Sequence, residues 1–471
     1  MKNCMLLLAG MVLLAGIASA QYHAPLYVAG GYGSTSTAYW NGFWLLDARN
    51  QSATHLTPND RIYTSYNVQM DVDNRRLVFA PYGTTSSTYA PYVQSGIYRV
   101  DPATQSITTV LWDPMALYGP RRLLVNQDGD YVFACYQRVG SSYTRSFLKL
   151  TSAGTTLTTI LDSTKLGTTI STDSGVGRNM DTGHYLFNVH NGSTYYYAVL
   201  DVAENGTFTT FGGGSGSANY GWYGLYTNME QDRDSGHIVG MYSRVIYQLR
   251  KGDPKRTTLY NVGYPGGYTI YTYGSNFDLQ TAPSKRIIGT GYYTSTNPTI
   301  YDPAIYQIDA GSPGYPVTAV NCDPTHALHN SGLTSYKYPY AQCIYRSRNI
   351  QPLKIAPKGW QLRFSCPDHP GKYYVAAISL SGYRPAVPLP DGRRIHLVPD
   401  RFTGPSLLGH LRPFFDPGPQ QLDASGEAIG SLDLSLLPAI DQPMWIAMAV
   451  LDPAAPNGIA FLPDSYVFRI P

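Results

Sequence analysis

A short motif, apolar at alternate positions and often closing on Asp, returns six times along the 471-residue chain. Its copies are Phe43 to Asp47, Ile97 to Asp101, Phe147 to Thr151, Ala198 to Asp201, Ile246 to Arg250 and Ile305 to Asp309, and the steps between their last residues are 54, 50, 50, 49 and 59. A period held this closely over six copies points to a repeat architecture, in which one small unit is built again and again against its neighbours. The second copy shows the unit best. Tyr66 to Asp71 and Arg76 to Tyr82 read as strands around an Asp73-Asn74 turn, Ile97 to Val100 follows after an excursion, and Ser106 to Leu111 comes after an Asp101-Pro102 turn. Four antiparallel strands in about fifty residues make one β-propeller blade. Matching turns recur at Asp128-Gly129, Asp181-Thr182-Gly183 and Asp234-Ser235-Gly236, where Asp, Asn and Gly tolerate left-handed dihedrals.

The phase of the repeat sets how the ring closes. The first copy starts at a second strand, Pro25 to Gly30, with no inner strand before it; Leu333 to Ile344, after the sixth copy, is the segment available to supply one. Such closure removes exposed sheet edges. The competing reading takes Asn321 to Ser347 as a degenerate seventh blade. Beyond about Gln351 the repeat stops. Trp360 to Ser365, Lys372 to Ser379, Arg394 to Val398, Ile429 to Ser435, Met444 to Leu451 and Ser465 to Ile470 then read as strands between Pro- and Gly-rich turns, a pattern of β-sandwich size. A short linker is expected around Pro352 and Pro357.

Composition agrees with an all-β class: 41 Tyr, 46 Gly and 34 Pro stand against three Glu, namely Glu204, Glu230 and Glu427. Tyr favours strands, Gly and Pro mark turns, and a good helix former is nearly absent. The first twenty residues carry Lys2, an apolar run from Met5 to Ile17 and Ala18-Ser19-Ala20, which reads as a secretory signal cleaved after Ala20. That run is shorter than the ~20 residues a spanning helix needs. The expected organisation is a signal peptide at 1–20, a six-bladed β-propeller at 21–350 and a small β-sandwich at 351–471, in a secreted or periplasmic protein without membrane insertion. With 14% charged residues and a formal net charge of +3, the chain offers no electrostatic case for nucleic acid or an anionic membrane.

On its repeat and its Asp-turn punctuation, the first part of the chain resembles the six-bladed β-propeller superfamily of NHL-type, TolB-type and virginiamycin-lyase-like proteins. The tail resembles the C-terminal sandwich modules of secreted bacterial repeat proteins, through Trp360, Pro370-Gly371-Lys372-Tyr373-Tyr374, Leu389-Pro390-Asp391-Gly392-Arg393, Leu422-Asp423-Ala424-Ser425-Gly426 and Val450-Leu451-Asp452-Pro453. These resemblances imply a fold and carry no catalytic motif, since function lives in sites grafted on folds.

Propeller ligands usually meet the loops that lead into the innermost strands. Here those loops are read as Tyr63 with Tyr66, Tyr118 with Arg121 and Arg122, Tyr220 with Trp222 and Tyr223, Tyr268 with Tyr271 and Tyr273, and Tyr336 with Tyr338 and Tyr340. Aromatic faces beside guanidinium donors suit a glycan, a peptide or another amphipathic ligand, whereas Tyr spread through the whole chain also suits packing between blades. The expected ligand set is Tyr66, Arg121, Arg122, Arg178, Trp222, Tyr223, Tyr271, Tyr273 and Tyr338, with no cofactor and no metal. The Asp pairs at the turns, 71/73, 128/130 and 232/234, read as hairpin punctuation, because no twelve-residue calcium loop with a closing Glu is present. Cys322, His326, His329 and Cys343 leave zinc and a disulfide open; export and the spacing favour a Cys322–Cys343 disulfide. Cys135 and Cys366 read as buried thiols, with a bridge between the two domains as the alternative that nothing in the sequence supports. For a lyase- or hydrolase-type enzyme the available histidines are His190 and His237, expected away from the mouth, and a third alternative is a cell-surface assembly protein whose sandwich meets an envelope partner.

Overall fold

The computed structural model describes residues 26–31, 42–47, 52–55, 68–71, 76–80, 96–101, 104–112, 117–167, 175–191, 196–215, 229–232, 235–242, 245–253, 257–261, 269–271, 277–280, 286–294, 301–309, 317–320, 340–343, 349–366, 368–437, 442–463 and 465–470. Between residues 26 and 343 these form six antiparallel sheets. The first pairs Tyr340–Cys343, Leu26–Gly31, Gly42–Asp47 and Ser52–His55, and the second Val68–Asp71, Arg76–Phe79, Gly96–Asp101 and Ser106–Trp112. The third comprises Leu117–Val125, Tyr131–Val139, Ser142–Leu150 and Leu157–Asp162, and the fourth Val176–Arg178, Tyr185–Asn191, Tyr196–Val202 and Phe208–Ser215. The fifth is built from Glu230–Gln231, Ile238–Tyr242, Val245–Leu249 and Thr257–Asn261. In the sixth, Thr269–Tyr271 and Phe277–Gln280 lie end to end along one edge of Arg286–Thr294, followed by Tyr301–Asp309 and Val317–Val320.

Every copy of the sequence motif lies in the third strand of its sheet, two of them ending one residue beyond it. The first strands adjoin one another in a closed cycle, running from 340–343 through 68–71, 117–125, 176–178, 230–231 and 277–280 and back. Consecutive four-stranded sheets with their first strands around a common axis are the arrangement of a β-propeller. Tyr340 to Cys343 pairs with Tyr27 to Gly30, so the two ends of the ring share one sheet.

Strand periodicity explains what fills the space between sheets. In Tyr131–Val139 the first five residues are all buried, yet successive side chains point to opposite faces. Tyr131, Phe133 and Cys135 therefore join Val78, Ala80 and Ile97 of the second sheet in one core, while Val132 and Ala134 join Phe187, Val189 and Leu200 of the fourth in another. The Phe147 and Phe187 rings stack across that second core at a centroid distance of 3.9 Å. The fourth sheet repeats the scheme, with Leu186, Tyr197 and Val199 turned toward Met229 and Ile238 of the fifth. Arg99 reinforces the second-to-third junction by donating from Nε to the Tyr131 hydroxyl at 2.6 Å.

The turns between first and second strands share one device. Asn126 Oδ1 accepts from the backbone N–H groups of Asp128 and Asp130, Asn179 Oδ1 from Asp181, and the Asp232 carboxylate from Ser235. Each turn then passes through a glycine of positive φ, Gly129, Gly183 or Gly236, a conformation that residues with a Cβ resist. The Asp that ends the repeat has a matching task in the fourth sheet. Buried Asp201 accepts from Asn179 Nδ2 at 2.9 Å, Thr182 Oγ1 at 3.1 Å and His184 Nδ1 at 2.9 Å, pinning the first turn to the third strand.

Residues 349–470 form two further sheets around one core. One is ordered Ile350–Ala356, Gly359–Ser365, Glu427–Asp433, Phe415–Asp416; in the other, Gln442–Leu451 pairs with Tyr373–Ser379, Ile459–Phe461 and Tyr466–Ile470. Trp360, Leu362, Phe364 and Leu432 from the first sheet meet Tyr374, Ile378, Ile446 and Phe468 from the second. The segment at Pro352, expected as a linker, is instead the edge strand of this unit, with Pro352 opposite Leu362. An edge strand tolerates a residue that cannot donate. The expected strand Arg394 to Val398 shrinks to Arg394–Ile395, since the carbonyls of His396 and Val398 are taken by Ser465 Oγ and Ser379 Oγ. Cys135 and Cys366 are buried free thiols, and burial pushes Cys366 up to about 12.

Candidate ligand face

A propeller sheet has two ends, one carrying the turns between its first and second strands and one carrying the connections from second to third and from fourth to the next first. The turn end of sheets three to five is occupied. Arg178, at the end of its strand, donates from Nη2 to the Val467 carbonyl at 2.6 Å and to Gln127 Oε1 at 3.2 Å, and from Nη1 to the Tyr466 hydroxyl at 3.1 Å. Its guanidinium lies 5.0 Å from the centroid of the Tyr466 ring. Beside it, Arg384 Nη2 reaches both Asp181 oxygens at 2.6 Å. The Trp445 indole donates to the Met180 carbonyl at 2.7 Å, Arg469 donates to the Thr182 carbonyl, and Lys354 Nζ stands 3.2 Å from Asp128.

These contacts assign roles that the sequence left open. Arg178, expected in the ligand set, spends its donors on the C-terminal unit and on Gln127, so it is a docking residue. Asp128 faces Lys354, Asp130 accepts from the Ser152 backbone N–H at 3.0 Å, and Asp232 closes its own turn. Among the described residues, the carboxylates of Asp128, Asp130 and Asp232 thus serve turn and interface. His237 follows Gly236 at this same end; burial, with help from Arg250, lowers its pKa below the ordinary value.

The opposite end of sheet three projects as a hairpin. From the docked turn at Asn126–Asp130, the second strand runs nine residues, about 30 Å at strand rise, to Gly140 and Ser141. Here Tyr136 pairs with Arg145 and Arg138 with Tyr143 across the strands. Two Tyr-x-Arg triplets, 136–138 and 143–145, flank the tip, and antiparallel register sets each Tyr opposite an Arg. Because alternation carries Ala134 and Phe147 toward sheet four, Tyr136, Arg138, Tyr143 and Arg145 continue that face. The Arg145 guanidinium lies 5.1 Å from the centroid of the Tyr136 ring. Tyr143 and Val139 are 51% and 60% exposed, and Arg138 Nε donates to the Gly140 carbonyl at 3.0 Å. Among the described residues, neither Arg138 nor Arg145 has an ion-pair partner.

His190 lies at this same end, one residue from the close of the second strand of sheet four, and not away from the mouth as the sequence suggested. Strand direction explains the difference: a second strand leaves the turn end and finishes at the opposite end. The imidazole stacks on Tyr197 with centroids 6.5 Å apart, and burial, aided by the Arg145 charge, lowers its pKa to about 4.

Of the other expected ligand residues, Tyr66, Trp222, Tyr223, Tyr273 and Tyr338 lie outside the described residues, as do Cys322, His326 and His329. Arg121 and Arg122, read as loop residues, fall within the strand Leu117–Val125, whose register shifts twice around Pro120 and Arg121. Tyr271 ends a strand and pairs with Tyr292, toward the end of the sixth sheet opposite its turn. Cys343 ends the ring-closing strand. Tyr136, Arg138, Tyr143 and Arg145 were not singled out in the sequence, although the doubled Tyr-x-Arg around a Gly turn was there to be seen. Among the described residues, no helix is long and apolar enough to cross a membrane.

No family model and no curated protein matches this sequence. Among solved structures, a chain of a nidogen/laminin complex is similar at 11% identity and TM-score 0.40, over 60% of this chain and 89% of that one. A protein described as TolB from Agrobacterium tumefaciens is similar at 10% identity and TM-score 0.38, over 68% and 98% respectively. An auxiliary nutrient binding protein from Bacteroides thetaiotaomicron is similar at 12% identity and TM-score 0.37, over 63% and 65%.

Proposed function

We propose that this chain is an exported binding protein, a six-bladed propeller with a C-terminal sandwich over 351–471, that takes a glycan, peptide or other amphipathic ligand at the open end of the ring. The observation that carries the reading is the docking of the C-terminal unit on the turn end through Arg178, Arg384, Trp445 and Arg469. That contact leaves the opposite end as the ligand face; of the expected set, Tyr271 ends a strand toward it. Export rests on the signal-like residues 1–20.

The test is binding of the purified protein to an array of glycans and peptides, beside a Trp222→Ala, Tyr223→Ala variant. Specific retention lost in the variant is the expected result; retention unchanged by it sinks the assignment of the face. An enzymatic reading gains a histidine at the open end, but an imidazole titrating near 4 is a poor general base at neutral pH, where a matched pKa is needed.

A further inference from the structure

We propose that the hairpin tip of the third sheet is a subsite for carboxylate-bearing sugars, with Arg138 and Arg145 holding the acid groups and the half-exposed Tyr143 flanking the sugar. The proposal rests on the open end being the ligand face and names the chemistry one part of it takes.

Three features of the hairpin carry it. The two guanidinium groups share one face, each across the strands from a tyrosine, and the two pairs are offset by two residues along each strand, about 7 Å. No ion-pair partner for either Arg is present among the described residues, whereas Arg178, Arg384, Arg393 and Arg469 all spend their donors inside the molecule. A planar fork of donors matches a carboxylate with two parallel hydrogen bonds, and a tyrosine presents an apolar face with a polar rim. Acid groups repeated along a chain of sugar rings fit two Tyr–Arg pairs in succession. Arg145 is also one of the causes that lower the His190 pKa on the neighbouring sheet.

The experiment titrates the full-length mature protein with an acidic uronate oligosaccharide, with the neutral oligosaccharide of the same linkage, and with an oligoglutamate peptide, by calorimetry at two salt concentrations. The acidic sugar should bind at least about tenfold more tightly than the other two, and Arg145→Gln and Arg138→Gln should each remove about tenfold of that affinity, as loss of a charge-assisted bidentate contact does. Arg145→Lys, which keeps the charge without the fork, should recover only part of the loss. Both positions are solvent-accessible, so the variants should keep the parent melting temperature. Equal affinity for acidic and neutral sugars, no effect of either Gln variant, or oligoglutamate binding as tightly as the uronate would overturn the subsite. Neutral sugar or peptide retained through Trp222 and Tyr223 would do so while leaving the ligand face standing; absence of binding to every probe would overturn both.

Discussion

At the scale of residues, the decisive side chains are those whose roles depend on which end of a sheet they occupy. Arg178 reads in the sequence like any arginine near an aromatic loop, but its strand delivers it to the turn end, against Val467 and Tyr466. Hydrogen bonds from a charged donor contribute ~1.5–3 kcal/mol each, so Arg178→Ala should lower the melting temperature and weaken docking by about 2–4 kcal/mol while leaving ligand affinity unchanged. Arg384→Ala should cost less, about 1 kcal/mol, because that ion pair is partly solvated. His190 gives a pH prediction with a definite sign. Its folded pKa, about 4, lies below the ordinary 6.5, so the unfolded chain binds the proton more readily. The contribution is complete above pH 6.5 and declines as pH falls toward 4, since stability rises with pH wherever the unfolded state holds more protons. His190→Gln should flatten urea-unfolding midpoints across that window, and Arg145→Gln should raise the imidazole pKa in an NMR titration. An unchanged titration would remove Arg145 from the cause.

Elements show where the sequence was legible and where it was not. The third strands of the third and fourth sheets were readable because each alternates apolar residues between two cores and then meets a turn, and Asp201 ends its copy because three donors converge on it. The edge strand Ile350–Ala356 was hidden by Pro352, a residue that argues against a strand except at an edge, and no local pattern tells which strand will be an edge. Equally hidden was the contact of the third-to-fourth turns of the third, fourth and fifth sheets with the preceding sheet. Gly154 lies against the Val110 carbonyl, Gly206 against that of Ile160, and the Gly252 N–H donates to Phe211 at 2.9 Å. At Gly206 the φ of +88° adds strain to the clash a Cβ would meet. Gly206→Ala should therefore destabilise the ring by ~1–3 kcal/mol, and chemical denaturation that shows less than a few tenths would refute the packing. In the C-terminal unit, Asp400 plays the comparable part. Its burial alone would raise the carboxyl, but hydrogen bonds from the Leu380 and Phe402 N–H groups, Ser379 and Thr403 outweigh it and hold the pKa below the ordinary value. Asp400→Ala should cost about 2–3 kcal/mol, read as a lower melting temperature.

At the scale of the molecule, the ring and the C-terminal unit are joined by side chains whose positions span nearly three hundred residues of sequence, as between Arg178 and Tyr466. This docking predicts that ring and unit unfold together, and that an Arg178→Ala, Arg384→Ala double variant resolves two calorimetric transitions where the parent has one; a single transition retained in the variant would show that the apolar contact at Trp445 and Met180 suffices. The pairing of Tyr27 to Gly30 with Tyr340 to Cys343 reaches further still along the chain. A ribosome adding ~5–20 residues per second makes the second of these segments some tens of seconds after the first. A chain that folds as it is made would leave Leu26–Gly31 with one side unsatisfied throughout that interval, the state in which chains pair with the wrong partner. The newborn protein therefore has a clock built into it: the last strand of the ring ends the time during which the first is open to misassembly, and anything that holds that early edge, chaperone or a neighbouring nascent chain, competes with a partner that does not yet exist.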